Sequence, residues 1–189
     1  MLFSELYKKA LLKRPLVTKM CTSSKIFGVA EYLKIKVESN LQVPDTKVCQ
    51  KRLIKAFLFG GFVAAPSLHV WYSLALTKLL PKKNYSSIAC KILLDQIIFS
   101  PYFLLVTSYS AVLIKNEHFQ SVKERFQEEH WRALRANWSF WPVAQLFNFT
   151  VVSKHFQILF INVVGIFWQG YLTYLRHAYW NSLRSPILS

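Results

Sequence analysis

Two carboxylates and one histidine stand in stretches of sequence that otherwise carry little charge. Asp95 lies near the start of the run from Ile92 to Ile114, Glu31 lies within Pro15 to Val37, and His69 interrupts the uncharged run from Ala56 to Thr77. A carboxylate at the centre of a bilayer costs about 2.5–3.5 kcal/mol on insertion scales, so such an acid marks an interfacial pair or a functional interior. Asp95 follows Lys91 by four residues, the helical spacing of an ion pair at the interface. It equally suits an interior position, paired with a basic residue of another helix or filtering cations. Glu31 is then the second acid of a cation-favouring ring. His69 reads either as a structural, hydrogen-bonded histidine or as a gate that titrates near neutral pH.

Polar and small residues recur in rows along these same stretches. Ser24, Gly28 and Glu31 share one face, as do Gly61, Ala65, His69 and Ser73. Gly60 and Ala64 form a parallel row of the kind that lets helix backbones approach. Gln96, Ser100 and Thr107 make a third face, and Asn162, Gly165, Gln169 and Thr173 a fourth. Lipid cannot hydrogen-bond such groups, so each row points inward. It either packs helices together or lines a hydrated path, with Glu31, His69, Asp95, Gln96, Asn162 and Gln169 as the lining or gating candidates.

The elements that must position these residues are apolar helices. The runs 56–77, 92–114 and 154–175 are each long enough to cross a hydrocarbon core, which takes about 20 residues. Lys154 in the last run is expected to snorkel to the headgroups. The stretch 15–37 carries Lys19, Lys25, Glu31, Lys34 and Lys36, and reads either as a surface-lying amphipathic helix or as a span whose polar stripe faces a bundle. Residues 117–135 place Phe119, Val122 and Phe126 among Lys123, Glu124, Arg125, Glu128 and Glu129. That pattern predicts a short amphipathic helix on the membrane surface before the last span, exposed to solvent or to a partner. Pro44-Asp45 and Pro81-Lys82-Lys83-Asn84 mark the two earlier connections.

Composition agrees with this class. Of 189 residues 53% are hydrophobic and only 17% charged, where soluble domains carry about 25% charged residues. The net charge of +15 would suit nucleic acid, but the positions point elsewhere. Lys8, Lys9, Lys13 and Arg14, then Lys47, Lys51, Arg52 and Lys55, then Lys78, Lys82 and Lys83 flank apolar runs, as residues facing lipid headgroups do. The bilayer is the expected partner, and direct nucleic-acid contact is not expected. Positive charge divides almost evenly between the two sides of a four-span arrangement, so orientation stays open.

Enzymatic chemistry is not expected. There is no G-x-S-x-G, no phosphate-cradling glycine loop and no H-E-x-x-H. The histidines 69, 118, 130, 155 and 177 and the cysteines 21, 49 and 90 have no metal-ligand spacing. No catalytic residue, metal or cofactor is assigned. No cleavable secretory leader is read at the basic N-terminus, and Ile187-Leu188-Ser189 is not a peroxisomal address of the Ser-Lys-Leu type.

Ahead of the last run stands a dense block: Asn137, Trp138, Trp141, Pro142, Gln145, Asn148 and Phe149. Trp138, Trp141 and Trp71 suit the headgroup level as anchors, and Gln145 and Asn148 suit bonds to neighbouring helices. With Asn162, Trp168 and Tyr171-Leu172 further on, this block resembles the N-W-x-x-W-P-x-x-Q-x-x-N-F signature of the Mpv-seventeen and peroxisomal 22-kilodalton membrane protein family. Pro66, His69, Trp71, Tyr72, Asp95-Gln96 and Pro101 also fit, as do Leu6-Tyr7, Pro15 and Thr18-Lys19. The chain departs at Ala30-Glu31, where relatives often have Gly-Asp. It departs again at Ser153 and Gln157, where they usually have Pro and Arg. Loss of that proline is expected to let the last helix begin earlier.

The resemblance implies an all-α, polytopic membrane protein of four transmembrane helices, with the whole of 1–189 as one membrane domain. It also implies a peroxisomal or mitochondrial inner membrane and a pathway for small solutes or ions. Pro15 to Lys19 and the run His130 to Arg135 look closer to the peroxisomal branch. A structural or assembly protein acting through partner binding is the competing expectation. Four helices of one chain line a narrow path, so a homo-oligomer stays open as the means to a wider one. No inverted symmetry supports an alternating-access carrier.

Overall fold

A computed structural model of the chain describes residues 2–39, 45–82 and 84–184. Pro44, Lys83 and Ile187-Leu188-Ser189 lie outside the described residues. So do the side chains of Arg125, Phe126, Glu128, Glu129, His130, Leu172, Thr173, Arg176, His177 and Arg184. The described residues form helices joined by short turns, with no strand among them.

Six helices follow one another: α1 (Leu2–Lys13), α2 (Pro15–Ser39), α3 (Thr46–Leu79), α4 (residues 85–115), α5 (Phe119–Thr150) and α6 (Gln157–Arg184). Local chemistry sets their ends. Pro15 opens α2 where its missing N–H costs nothing. Asp45 caps α3 by accepting from Lys47 N at 3.0 Å, and Asn84 caps α4 by accepting from Ser87 N at 3.0 Å. Asn116 ends α4 in the left-handed conformation at φ 56°. Among the described residues, α3 and α4 are long and apolar enough to cross a membrane. They contain the runs 56–77 and 92–114.

Two expected boundaries move. Residues 117–135 are not a separate short helix, because α5 runs unbroken for 32 residues through Pro142, about 48 Å at 1.5 Å per residue. Its first part is solvent-facing, and its last turns bury Gln145 and Asn148 inside the bundle. Those buried amides find partners there, and that holds the helix together past a proline that removes one of its bonds. Second, α6 starts at Gln157, and Lys154 lies exposed in the turn before it.

Helices α2 to α6 close into a ring in which α2 packs on α3, α3 on α4, α4 on α5, α5 on α6 and α6 back on α2. Its apolar core joins Leu68, Tyr72, Leu76, Phe99, Phe149, Ile158 and Ile161 from four of these helices. Helices α2 and α3 approach closely where Gly60 faces Ser23 and Phe27 and Gly61 faces Ser24, and Ala56, Ala64 and Ala65 beside them are buried. The rows Gly60/Ala64 and Gly61/Ala65 are thus packing rows, and the stripe of α2 that carries Ser24 and Glu31 faces the bundle.

A methyl group at Gly60 would sit 2.7 Å from Phe27 Cβ and 2.8 Å from the Ser23 carbonyl oxygen. At Gly61 it would meet the Ser24 hydroxyl first. Gly60→Ala should cost about 1–3 kcal/mol of stability, read as a lowered unfolding midpoint in detergent. Ser24→Ala should rescue Gly61→Ala, whereas no trimmed side chain clears the backbone that Gly60→Ala meets. Equal tolerance of both alanines would contradict this packing.

Candidate functional site

Asp95 is 2% exposed, and its carboxylate is the centre of a hydrogen-bond network joining α3, α4 and α5. Oδ1 accepts from Trp71 Nε1 at 2.9 Å and from Tyr72 Oη at 2.8 Å. Oδ2 accepts from Gln145 Nε2 at 2.9 Å and Gln96 Nε2 at 3.1 Å. Gln145 also donates to the Tyr72 hydroxyl. Its own Oε1 accepts from Asn148 Nδ2 at 3.1 Å. Every donor to the carboxylate is neutral.

The backbone of α4 is built to present Asp95. Residues Asp95–Phe99 form a π-helical segment in which Ser100 N–H bonds to Asp95 O, five residues back. The wider turn buries the adjacent Asp95 and Gln96 together with Phe99. In that frame Pro101 would bond next to the Gln96 carbonyl, but proline has no N–H. Trp138 supplies the missing donor from α5, its Nε1 reaching Gln96 O at 3.2 Å. Beside it Asn137 Nδ2 donates to Ser100 Oγ at 2.6 Å. The same device recurs in α3, where the π-helical Gly60–Ala64 precedes Pro66 and Ala65 N–H bonds to Gly60 O. Such π segments inside α-helices are frequent at functional sites.

The ring encloses a cavity of about 130 Å3, lined by Glu31, Asp95, Ser100, Asn137, Gln145, Asn162 and Gln169 among others. Glu31, 4% exposed, is held at Oε1 by Arg52 Nη2 at 2.6 Å and Nε at 2.9 Å, with Lys34 Nζ 3.9 Å from Oε2. One acid of the cavity is thus neutralised by cations, and the other is held by dipoles.

The Mpv17 / PMP22 family model matches residues 112–173, which cover the end of α4, the whole of α5 and the first part of α6. Protein sym-1 of Neurospora crassa is 31% identical over 171 residues, covering 90% of this chain and 96% of that protein. The chain belongs to the Mpv17 / PMP22 family. Protein SYM1 of Saccharomyces cerevisiae is 29% identical, covering 96% of this chain and 94% of its own. PXMP2/4 family protein 2 of Dictyostelium discoideum is 30% identical, covering 90% and 89%. No solved structure matches the chain. Family membership, with two helices long and apolar enough to cross a bilayer, supports a membrane protein.

The signature residues of the Mpv17 / PMP22 family take separate places. Asn137, Trp141, Gln145 and Trp168 line the cavity. Trp138 serves the α4 carbonyl, Asn148 backs Gln145, and Phe149 packs on Tyr72 with ring centroids 6.0 Å apart. Pro142 sits half-buried within α5. Gln157, where relatives carry arginine, donates to Asn148 O at 3.3 Å. The indoles of Trp71 and Trp138, read from sequence as headgroup anchors, both donate to α4.

Of the six lining candidates, Glu31, Asp95, Asn162 and Gln169 reach the cavity, and His69 and Gln96 do not. Asp95 takes the interior position, without the Lys91 ion pair. His69 Nδ1 lies 3.0 Å from Nζ of the buried Lys19, which also donates to Ser73 Oγ at 2.7 Å. The row 61-65-69-73 therefore meets α2, and the cavity lies elsewhere. Asn162 Nδ2 donates to Ser23 Oγ at 2.6 Å and ties α6 to α2. Sequence reasoning missed Arg52 as the partner of Glu31 and Tyr72 as a ligand of Asp95. The signal for Arg52 was that a buried acid requires a cation.

Trp138→Phe strands a buried carbonyl and should cost about 1–3 kcal/mol. In a Pro101→Ala background the backbone regains an N–H for Gln96 O, so the cost of Trp138→Phe should shrink. A double-mutant cycle on unfolding in detergent measures this coupling. Strict additivity would mean that the indole does not replace the proline's missing donor.

Proposed function

We propose that the chain is a four-span protein of an organelle membrane, mitochondrial inner or peroxisomal, that provides a pathway for small solutes or ions without enzymatic chemistry. In this reading α2, α3, α4 and α6 cross the bilayer, and the end of α5 enters it as a fifth wall. The observation that carries the reading is the cavity inside the helix ring, with Asp95 on its wall held by neutral donors. A charge in such a lining selects ions by sign. Rigid aromatic and amide side chains around it keep the charge in place.

Helix packing favours a second reading. Lys19 with His69 and Ser73, and Asn162 with Ser23, spend polar groups on holding helices together. A membrane scaffold that binds partners through its exposed apolar and aromatic faces would need the same bonds and no conduction.

Recording from the purified protein in planar bilayers separates the two. Asp95→Asn removes a negative charge from the path, so cation preference should fall and the reversal potential in a salt gradient should move toward the anion side. Glu31→Gln should disturb selectivity less, because Arg52 already neutralises Glu31, and should disturb stability more. Currents identical in Asp95→Asn and wild type would take Asp95 out of the path. Silence from folded, inserted protein would leave the scaffold reading.

A further inference from the structure

Formal charge at the cavity balances, with Glu31 and Asp95 against Arg52 and Lys34. Retention of a solute there comes from hydrogen bonds and close contact rather than from net charge. Two side-chain amides hold that capacity. Asn137 on α5 and Asn162 on α6 line the cavity and are 6% and 5% exposed. Each spends its NH2 on a serine of another helix, Asn137 on Ser100 of α4 and Asn162 on Ser23 of α2, both at 2.6 Å. Neither carbonyl oxygen has a partner among the described residues, and neither is sealed in the packing as Gln96 Oε1 and Asn148 Oδ1 are. The open surface of these two buried amides is therefore the cavity wall. A buried carbonyl without a donor is costly, so a group in the cavity has to meet each one.

The chemistry of that group follows from the serines. A hydroxyl donates as well as accepts. An amide turned end for end keeps its serine and offers the cavity an NH2 in place of the oxygen. A ligand group that suits both ends is itself donor and acceptor, and the neutral group that is both through one atom is a hydroxyl. Thr107 of α4 adds a third point on the wall. Its hydroxyl proton is directed to the carbonyls of Phe103 and Leu104, which leaves the oxygen able to accept. Between these points the lining is apolar, with Ile26, Leu104 and Ile161, a surface for the C–H edges of a carbon chain. Size limits that chain. The cavity holds about 130 Å3, and one of about 150 Å3 takes up benzene, a molecule of about six heavy atoms. A triol on a three-carbon chain has this size, and a hexose is too large.

We infer that the cavity is a binding site for a three-carbon polyol of the glycerol class, its hydroxyls bonded to Asn137, Asn162 and Thr107 on three walls. The inference names a neutral solute class for the proposed pathway and rests on that reading only for passage, since binding is measured apart from flux.

The test uses the full chain in nanodiscs, with empty nanodiscs as the blank. Saturation-transfer NMR follows carbon-13-labelled glycerol, and unlabelled competitors are titrated against it. Saturable transfer is expected, displaced by unlabelled glycerol, several-fold less well by 1,3-propanediol, and not by sodium chloride. Asn137→Leu should weaken binding several-fold. Thr107→Val, which keeps the shape of the side chain and leaves both amides in place, should do the same and so covers the case of an unfolded Asn137→Leu. No saturable transfer above the blank overturns the inference, as does equal displacement by 1,3-propanediol, displacement by salt, or undiminished binding in a folded variant. Swelling of proteoliposomes in glycerol and recording in planar bilayers read passage separately. Ion currents without glycerol binding would remove the inference and keep the pathway. Glycerol binding with neither swelling nor currents would keep the inference and remove the pathway.

Discussion

A carboxylate buried between helices constrains everything near it. Asp95 has to be met by donors, and no single helix can supply four. Two come from neighbouring residues of α3, one from the next residue of α4 and one from α5. Bringing them together sets the distance and rotation of three helices at once. The π segment at Asp95–Phe99 is the local cost, since it turns two adjacent polar residues inward. Pro101 and Trp138 then form a matched pair, one withholding a donor and the other replacing it.

On the other side of the ring, apolar contact and a true ion pair take the place of this network. Gly60 and Gly61 let α2 lie against the backbone of α3, and Ser23 and Ser24 fit because they are small. Close approach brings the base of Arg52 to Glu31, and the bidentate-reaching guanidinium holds one oxygen through two nitrogens. Breaking such a pair leaves an uncompensated buried charge. The packing rows of α3 and the acid of α2 are therefore parts of one contact.

Much of this was legible from residue types. Apolar runs placed α3 and α4, and the rule that lipid cannot satisfy polar groups sent Glu31, Asp95, Asn162 and Gln169 inward. Gln145 and Asn148 were expected to bond to other helices, and Gln145 does so. Other features do not show at the level of periodicity. A 3.6-residue pattern has no term for a π turn, so the partnership of Trp138 with the Gln96 carbonyl was invisible, and both indoles looked like headgroup anchors. The amphipathic pattern of 117–135 suggested a short separate helix, yet α5 continues, because its buried amides are satisfied by tertiary partners. His69 read either as a structural histidine or as a gate from its row on α3. Lys19 claims it, and that required knowing the rotation of α2.

The two halves of the ring are held by different kinds of bond, and the cavity lies where they meet. Helices α3, α4 and α5 share the Asp95 network, whose geometry is directional and tolerates little displacement. Helix α6 is tied to α2 by the Asn162–Ser23 bond and to the end of α5 by Gln157, and its Ile158 and Ile161 join the apolar core. Gly165 lines the cavity, and a Cβ there would have nothing within 4 Å. The cavity thus reaches α6 at a glycine, and the charge of Asp95 stands on the wall that the hydrogen-bond network joins. A solute in the cavity would meet a charge whose position three helices fix together.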